Sequence, residues 1–185
     1  NGMASYGRSF LRYYKASVSG NWSWGRFNNL RVFDVNGTTE TIVQQTENVT
    51  QNYSVRFSTN FKRLPNLELA YAYAINDNFA DKVYTQTPSA KLEYFFLEAF
   101  SFTSEYTFYK NTNSSKTIEN SYDFLTASLM YRKPNSKWEW KIQGTNLLNT
   151  TSLDQSSFSQ LGGTSSYSSY IVQPRYVILS LKYNL

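Results

Sequence analysis

The chain contains neither cysteine nor histidine among its 185 residues. The first absence removes disulfides, thiolate nucleophiles and thiolate metal ligands, and the second removes the commonest general base and metal ligand. Most hydrolytic mechanisms therefore lack their usual groups, and we predict that the protein is not an enzyme and holds no metal or cofactor. A Ser-based esterase or protease on the same scaffold is the weaker alternative.

Long apolar runs are also missing. The longest late run is Tyr176–Leu181, far short of the ~18 residues that a membrane-spanning helix needs. Aromatic residues nevertheless make up 18% of the chain, led by 16 Tyr and 13 Phe, while mean hydropathy is only −0.51. This combination is typical of half-buried sheets, so any passage across a membrane must use strands.

Charge gives little indication of a nucleic-acid partner. The 18 Lys and Arg outnumber the 13 Asp and Glu, for a net charge of +5. The basic residues are scattered singly rather than clustered into a patch, and we therefore predict no binding to nucleic acid.

Apolar and polar residues alternate with period two in eight segments, which predicts strands with two unlike faces. The predicted strands cover residues 15–24, 53–61, 67–75, 90–96, 102–108, 124–131, 138–145 and 177–185. We expect lipid contact for Trp22, Trp24, Leu69, Tyr71, Trp138, Trp140 and Leu179. The interior is expected to receive Ser17, Arg56, Ala72, Glu105, Glu139, Lys141 and Lys182. A register slip of one residue would invert every assignment.

Connections alternate between short and long. Short turns occupy residues 62–66 and 132–136, and a less certain one lies near 97–99; long polar links cover 28–48, 76–88, 110–120 and 150–168. Outer-membrane barrels have short periplasmic turns and long extracellular loops, so we predict a bacterial outer-membrane barrel whose C-terminus is periplasmic.

Tryptophans lie near the predicted strand ends. Trp22 and Trp24 come at the outer end of the first strand, and Trp138 and Trp140 at the inner start of the seventh. Amphipathic rings prefer the headgroup zone, so these positions predict the two aromatic girdles of a membrane barrel. The alternative is a soluble β-sandwich or jelly roll in which the same rings pack inside.

The final residues resemble the signal that outer-membrane proteins present to the barrel insertion machinery. Leu181, Tyr183 and Leu185 match its outward positions, although Leu185 stands where a terminal Phe is more usual. The alternative is an ordinary amphipathic edge strand that comes last in the chain.

Several motifs near this end resemble the barrel of TonB-dependent receptors, most closely the type common in Bacteroidetes. They are the Trp138–Asn149 segment with its Asn146-Leu-Leu-Asn149 element, the Ser-rich stretch after it, and Pro174-Arg175-Tyr176. The resemblance implies a transporter for a scarce ligand such as a siderophore, an oligosaccharide or a peptide. It also implies partners: outer-membrane lipid, the insertion machinery, TonB and a surface lipoprotein. No plug or TonB box is found in these residues.

We expect residues 1–185 to be the C-terminal portion of a larger barrel. Interior positions such as Ser19, Ala70 and Ser128 are small, whereas an eight-stranded barrel fills its bore with side chains. Residues 10–14 are expected to rise as a strand straight from a preceding turn. The alternative is a complete small barrel with a structural or accessory role, because the predicted inward charges nearly balance.

Overall fold

A computed structural model describes the whole chain except residues 36, 37, 79, 80, 118, 160–163, 184 and 185. Every regular element in the described part is a strand. In chain order they are β1 (Gly2–Phe10), β2 (Tyr14–Val35), β3 (Thr38–Thr59), β4 (Asn66–Asn78), β5 (Lys82–Phe96), β6 (Phe100–Asn113), β7 (Glu119–Arg132), β8 (Trp138–Thr145), β9 (Ser152–Ser159), β10 (Thr164–Ile171) and β11 (Tyr176–Tyr183).

Nine of these strands form one antiparallel sheet in the order β1-β2-β3-β4-β5-β6-β7-β8-β11. The short strands β9 and β10 pair with each other as a separate hairpin inserted before the last strand. Within the described residues β1 pairs only with β2, and β11 only with β8. The all-β antiparallel fold predicted from the alternation is therefore confirmed, with nine sheet strands where about eight were expected.

The expectation that residues 10–14 form a rising strand is wrong. Residues 11–13 form a turn between β1 and β2, not part of a rising strand, and Leu11 and Arg12 have φ values of 48° and 60°. The strand before this turn escaped detection because Gly2, Ala4 and Gly7 blur the contrast between its faces. A strand needs hydrogen-bonded neighbours more than it needs strong alternation.

The long polar links are mostly strand rather than loop. The strands β2 and β3 each run for 22 residues and pair from Tyr14 opposite Thr59 to Val35 opposite Thr38. Likewise, β4 and β5 continue through most of residues 76–88, and 150–168 contains β9 and most of β10. These segments escaped prediction because polar and apolar residues are mixed on both faces, which removes the period-two signal while the backbone ladder persists.

Short turns gather at one end of the sheet. They cover residues 11–13, 60–65, 97–99 and 133–137, and each joins neighbouring strands of the meander. Positive φ values at Leu97, Glu98 and Asn135 close two of them tightly. At the opposite end most of the predicted long links are taken up by longer strands, with only residues 36–37 between β2 and β3 and 79–81 between β4 and β5. The predicted contrast of short and long loops is therefore wrong for these connections and is replaced by longer hairpins.

The sheet has no hydrophobic core in the described part of the chain, where no apolar side chain is buried. A β-sandwich buries the inner faces of two packed sheets against each other. Here the second sheet is only the β9–β10 hairpin, and aliphatic residues across the large sheet remain open. The β-sandwich alternative is therefore not what this sequence forms.

Candidate functional site: the two faces of the sheet

One face of the sheet, called the outer face below, is an exposed apolar surface. The register aligns Val18 with Val55 and Val55 with Tyr71 across three strands. Val55 is 54% exposed and Leu179 71% exposed in the isolated chain. Exposed apolar area costs about 25 cal/mol per Å² in water, so a contiguous apolar surface of this kind requires a non-aqueous neighbour. Arg8 on β1, which pairs with Ala16, and Asp123 on β7, which pairs with Phe108, are charged residues on this same face.

Aromatic rings cluster on the outer face at the short-turn end. The ring of Phe100 lies 5.4 Å from that of Phe96, 5.0 Å from that of Tyr131 and 6.0 Å from that of Trp140. Further along, the rings of Trp138 and Tyr183 are 4.7 Å apart. Similar contacts join Phe10, Tyr14, Phe57 and Phe61 at the other side of the sheet. The rings together form a girdle along this end.

A smaller aromatic group lies toward the long-hairpin end of the same face. The indole Nε1 of Trp22 donates a 3.0 Å hydrogen bond to the Tyr53 hydroxyl, and the rings of Tyr73 and Tyr84 stack at 6.4 Å. The guanidinium of Arg26 lies 4.8 Å above the Trp24 ring. Rings with one polar and one apolar end suit the boundary between hydrocarbon and water.

Beyond these rings the outer face becomes charged. Ion pairs join Arg26 to Glu47 at 2.7 Å, Lys82 to Asp77 at 2.9 Å, and Lys110 to Glu119 at 2.8 Å. The pairing with Asp77 raises the pKa of Lys82, and the hydrogen bond from Lys110 lowers the pKa of Glu119. The segment of β2 from Tyr14, in the girdle, to Trp24, just before the ion pairs, is 11 residues long. This is the length with which a strand crosses a membrane.

The residues predicted to face lipid share this outer face. Trp22, Trp24, Leu69 and Tyr71 lie on it in β2 and β4, and Trp138, Trp140 and Leu179 in β8 and β11. In the last strand Leu181 pairs with Trp140, and Tyr183 with Trp138. Leu185, the third residue of the predicted insertion signal, lies outside the described residues. That lipid or the insertion machinery contacts these side chains stays a prediction.

The opposite face, called the inner face, carries one row of alternating charges. The register aligns Lys15, Glu68, Lys91 and Glu105, with small polar residues between and beyond them; the full charged row is Ser9, Lys15, Ser58, Glu68, Lys91, Glu105 and Thr126. Next to this row Arg56 lies 3.5 Å from Glu68, and Lys91 lies 2.7 Å from Glu93.

A second group of inner charges centres on Glu139 in β8. Its carboxylate lies 3.2 Å from Arg132 and 4.0 Å from Lys182. Lys141 is on the same face one pair further along, opposite Ser180. The predicted lumen residues Arg56, Glu105, Glu139 and Lys141 therefore share the inner face. They fall into two groups. Glu105 lies in the charged row with Arg56 next to it, whereas Glu139 and Lys141 belong to the second group of charges.

A second row on the inner face carries no charge. It lies six residues from the charged row on each strand, toward the long-hairpin end. This neutral row crosses seven strands as Met3, Asn21, Asn52, Ala74, Thr85, Asn111 and Asn120. The Asn52 amide donates to the Asn21 carbonyl oxygen at 3.1 Å, and Thr85 donates to Asn111 at 3.5 Å. In the adjoining rows Ser19 and Ser54 share a 2.7 Å hydrogen bond, and the rings of Tyr109 and Tyr122 stack at 4.7 Å.

Asn146 is a structural centre whose role the sequence did not reveal. The residue is only 3% exposed, and its amide nitrogen donates to the carbonyl oxygens of Thr150 and Gln173, both at 2.8 Å. Its amide oxygen accepts from the Thr150 backbone N–H at 2.9 Å. Positive φ values at Asn146 and Asn149 explain why Asn is suited to both positions of the Asn146-Leu-Leu-Asn149 element. The motif therefore fastens both ends of the β9–β10 hairpin.

A polar cluster joins two hairpin ends around Asp81. Its carboxylate accepts hydrogen bonds from Ser114, from Ser115 at 2.6 Å and from Asn113 at 2.6 Å. These bonds, led by the one from Ser114, hold the pKa of Asp81 below its ordinary value. In the described part of the chain, no three His, Cys, Asp or Glu residues come together as a metal-binding group. The hydrogen bonds of the cluster connect the ends of the β4–β5 and β6–β7 hairpins.

No helix in the described ranges is long and apolar enough to cross a membrane. No protein-family model matches the chain, and no curated protein matches its sequence significantly. One solved structure that it resembles is OmpT, an outer membrane protein of Vibrio cholerae, with a TM-score of 0.50 and 11% identity. The alignment covers 97% of this chain and 53% of the OmpT chain. The likeness shows the fold: an outer-membrane β-barrel, of which this chain spans about half the length.

This match corrects one prediction. The missing Cys and His led us to predict that the protein is not an enzyme, but the structural neighbour identifies a scaffold, and one scaffold carries unrelated activities. The two absences remove particular mechanisms, not catalysis as such. The exclusion of an enzyme is therefore wrong as drawn.

Proposed function

We propose that this chain forms part of the barrel wall of an outer-membrane receptor that takes up a scarce ligand with energy from TonB. The observation that carries the proposal is the pair of unlike faces: an apolar surface 11 residues deep between aromatic rings, backed by a face of charged, amide and hydroxyl side chains. Such a wall separates lipid from water and leaves the bore open. The motif resemblance around Asn146 supplies the link to TonB.

The proposal includes further strands beyond the described ones. All neighbours in the sheet are antiparallel, so β1 and β11, in first and ninth place, run in the same direction. Their edges have no partner in the described residues, and hydrocarbon offers none. Bacterial barrels of this kind contain an even number of strands. An odd number of additional strands would close the sheet with antiparallel pairing throughout, whereas a second copy in the same orientation would pair β11 with β1 in parallel.

Orientation and assembly form part of the same proposal. Short turns at the girdle end would lie in the periplasm, and the long β2–β3 hairpin would extend outside the cell. The last strand would then end in the periplasm, with Leu181, Tyr183 and Leu185 available to the insertion machinery. TonB and a surface lipoprotein would act through regions beyond the wall itself.

Uptake by the full polypeptide tests the proposal. Growth on the limiting nutrient, or accumulation of a labelled ligand, is expected to require both the gene for this protein and an intact tonB gene. Deletion of tonB should reduce uptake to the level of the receptor deletion. Uptake that is unchanged without TonB would overturn the energy source, and normal growth of the receptor deletion on every scarce nutrient would overturn transport.

A second candidate is a structural or accessory barrel without transport. The pairing of inner charges favours it, since Glu139 with Arg132 and Lys182, and Arg56 with Glu68, resemble the paired interior of a narrow barrel. Conductance distinguishes the two candidates. A narrow barrel filled with side chains conducts no ions even after any plug is removed, whereas a wide barrel conducts them.

A further inference from the structure

The neutral row is the observation that bears on the ligand. It crosses β1 to β7 without one charged side chain, and it lies six residues from the charged row on each strand. The inner face is thus divided into a charged zone nearer the short turns in β2 and β3 and an uncharged amide and hydroxyl zone toward the long β2–β3 hairpin. Two residues beyond the row on β6, Asn113 donates to the Asp81 carboxylate at 2.6 Å, so the uncharged zone lies between this carboxylate and the charged row.

From this division we infer that the receptor takes an uncharged, hydroxyl-rich ligand, that is, a neutral oligosaccharide. The inference rests on the proposed function and specifies its substrate class. A neutral sugar presents many hydroxyl donors and acceptors and no charge. The facing side chains Asn21, Asn52 and Asn111 each combine two donors with an acceptor oxygen, which is the matching set.

The hydrogen bonds within the row leave donors and acceptors of these Asn side chains available to a ligand. Asn52 uses one N–H toward Asn21, and an Asn side chain has a second N–H and further lone pairs. Between these strands the surface forms an open depression of about 250 Å³, whose lining includes Met3, Ala72 and Ala74 beside Asn21, Asn52 and Ser54. Pockets for whole small ligands are usually about 300–1,000 Å³, so this one has room for a unit of a longer ligand rather than the whole of it.

The other two ligand classes fit this zone less well. Anionic iron chelates are recognised through Arg or Lys, and peptides carry charged termini that need partners. The nearest inner-face cation to the row on β3 is Arg56, and it already lies 3.5 Å from Glu68. Stacked rings such as Tyr109 and Tyr122 at 4.7 Å, in the adjoining row, add an apolar surface without charge.

Binding to the folded full polypeptide in detergent tests the inference directly. The probes are an array of neutral gluco-, manno- and xylo-oligosaccharides, oligogalacturonates as anionic sugars, a ferric tris-catecholate chelate and a zwitterionic tetrapeptide. We expect the tightest binding among the neutral sugars. Tighter binding of any charged probe, or no neutral sugar bound by protein that is demonstrably folded, would overturn the inference.

Matched variants on one strand locate the site. Asn52→Asp keeps the shape but replaces an amide donor with a charge, and we expect it to weaken neutral-sugar binding about fivefold to tenfold. Ser58→Asp puts the same charge on the same face of β3 in the charged row, and it should leave binding within about twofold. Equal effects of the two would place the ligand elsewhere. Sugar binding without TonB-dependent uptake would overturn the proposed function and leave this inference standing.

Discussion

The amide nitrogen of Asn146 donates a 2.8 Å hydrogen bond to the carbonyl oxygen of Gln173, 27 residues later in the chain. This contact and the two with Thr150 join the start and the end of the segment that contains β9 and β10. The segment can therefore vary in sequence while β8 and β11 remain neighbours. A buried Asn with all three of these bonds acts as a clamp at the base of an inserted hairpin.

Loss of this clamp should destabilise the barrel. Asn146→Ala would remove the three hydrogen bonds of this side chain, at a cost of about 3 kcal/mol if each contributes about 1 kcal/mol. The temperature at which the folded band is lost in heat-modified gel electrophoresis should fall. Asn60→Ala, at an exposed position, is the control and should leave that temperature unchanged. An equal temperature for both variants would show that the clamp contributes nothing.

The two faces can be distinguished by adjacent substitutions in β3. Val55→Arg places a charge on the apolar outer face, where Arg near the bilayer midplane costs about 2–4 kcal/mol. Ser54→Arg places the same charge on the polar inner face and should cost much less. Folding into phosphatidylcholine vesicles, followed by urea titration, measures both. A larger loss for Ser54→Arg would reverse the assignment of every strand.

The last strand should matter for insertion. Tyr183→Asp removes a ring that lies 4.7 Å from Trp138 and charges an outward position of the proposed insertion signal. We expect its outer-membrane level in cells to fall more than its folded stability in vesicles. Trp138→Phe is the control, since it weakens the same ring contact without changing the signal. Normal levels of Tyr183→Asp would contradict the role of this strand.

Acid should loosen the connection around Asp81. Hydrogen bonds from Ser114 and Ser115 lower the pKa of this carboxyl, so its stabilising contribution is complete above the unfolded value of about 3.9. That contribution is lost as the pH falls through the lower folded value. Hydrogen exchange at residues 81–83 and 113–117 should therefore rise below about pH 4, beyond the ordinary change in intrinsic rate.

A variant isolates the carboxylate in that experiment. At pH 6, Asp81→Asn should show the loss of protection from exchange that the wild-type protein shows in acid. Asp77→Asn removes an exposed ion pair with Lys82 and should change this protection little. Unchanged exchange in Asp81→Asn at pH 6 would mean that the cluster does not hold the two hairpin ends together.

The sequence alone determined the two faces of the sheet. Period-two alternation in segments such as 15–24 and 67–75 places every second side chain on one surface, because successive residues of a strand point to opposite sides. Trp22, Leu69 and Trp140 could be assigned to a common face without any knowledge of which strands pair. Turn residues such as Pro134 and Asn135 likewise marked a reversal through their own backbone preferences.

Only the tertiary structure decided which residues lie side by side. The charged row and the neutral row each collect single residues from seven strands, and their alignment depends on the register between strands far apart in the chain. The length of β2 and β3 beyond Trp24 has the same origin, since the backbone ladder continues where alternation ends. The partners of Asn146 were also beyond the sequence, because a clamp over 27 residues exists only once β8 and β11 are neighbours.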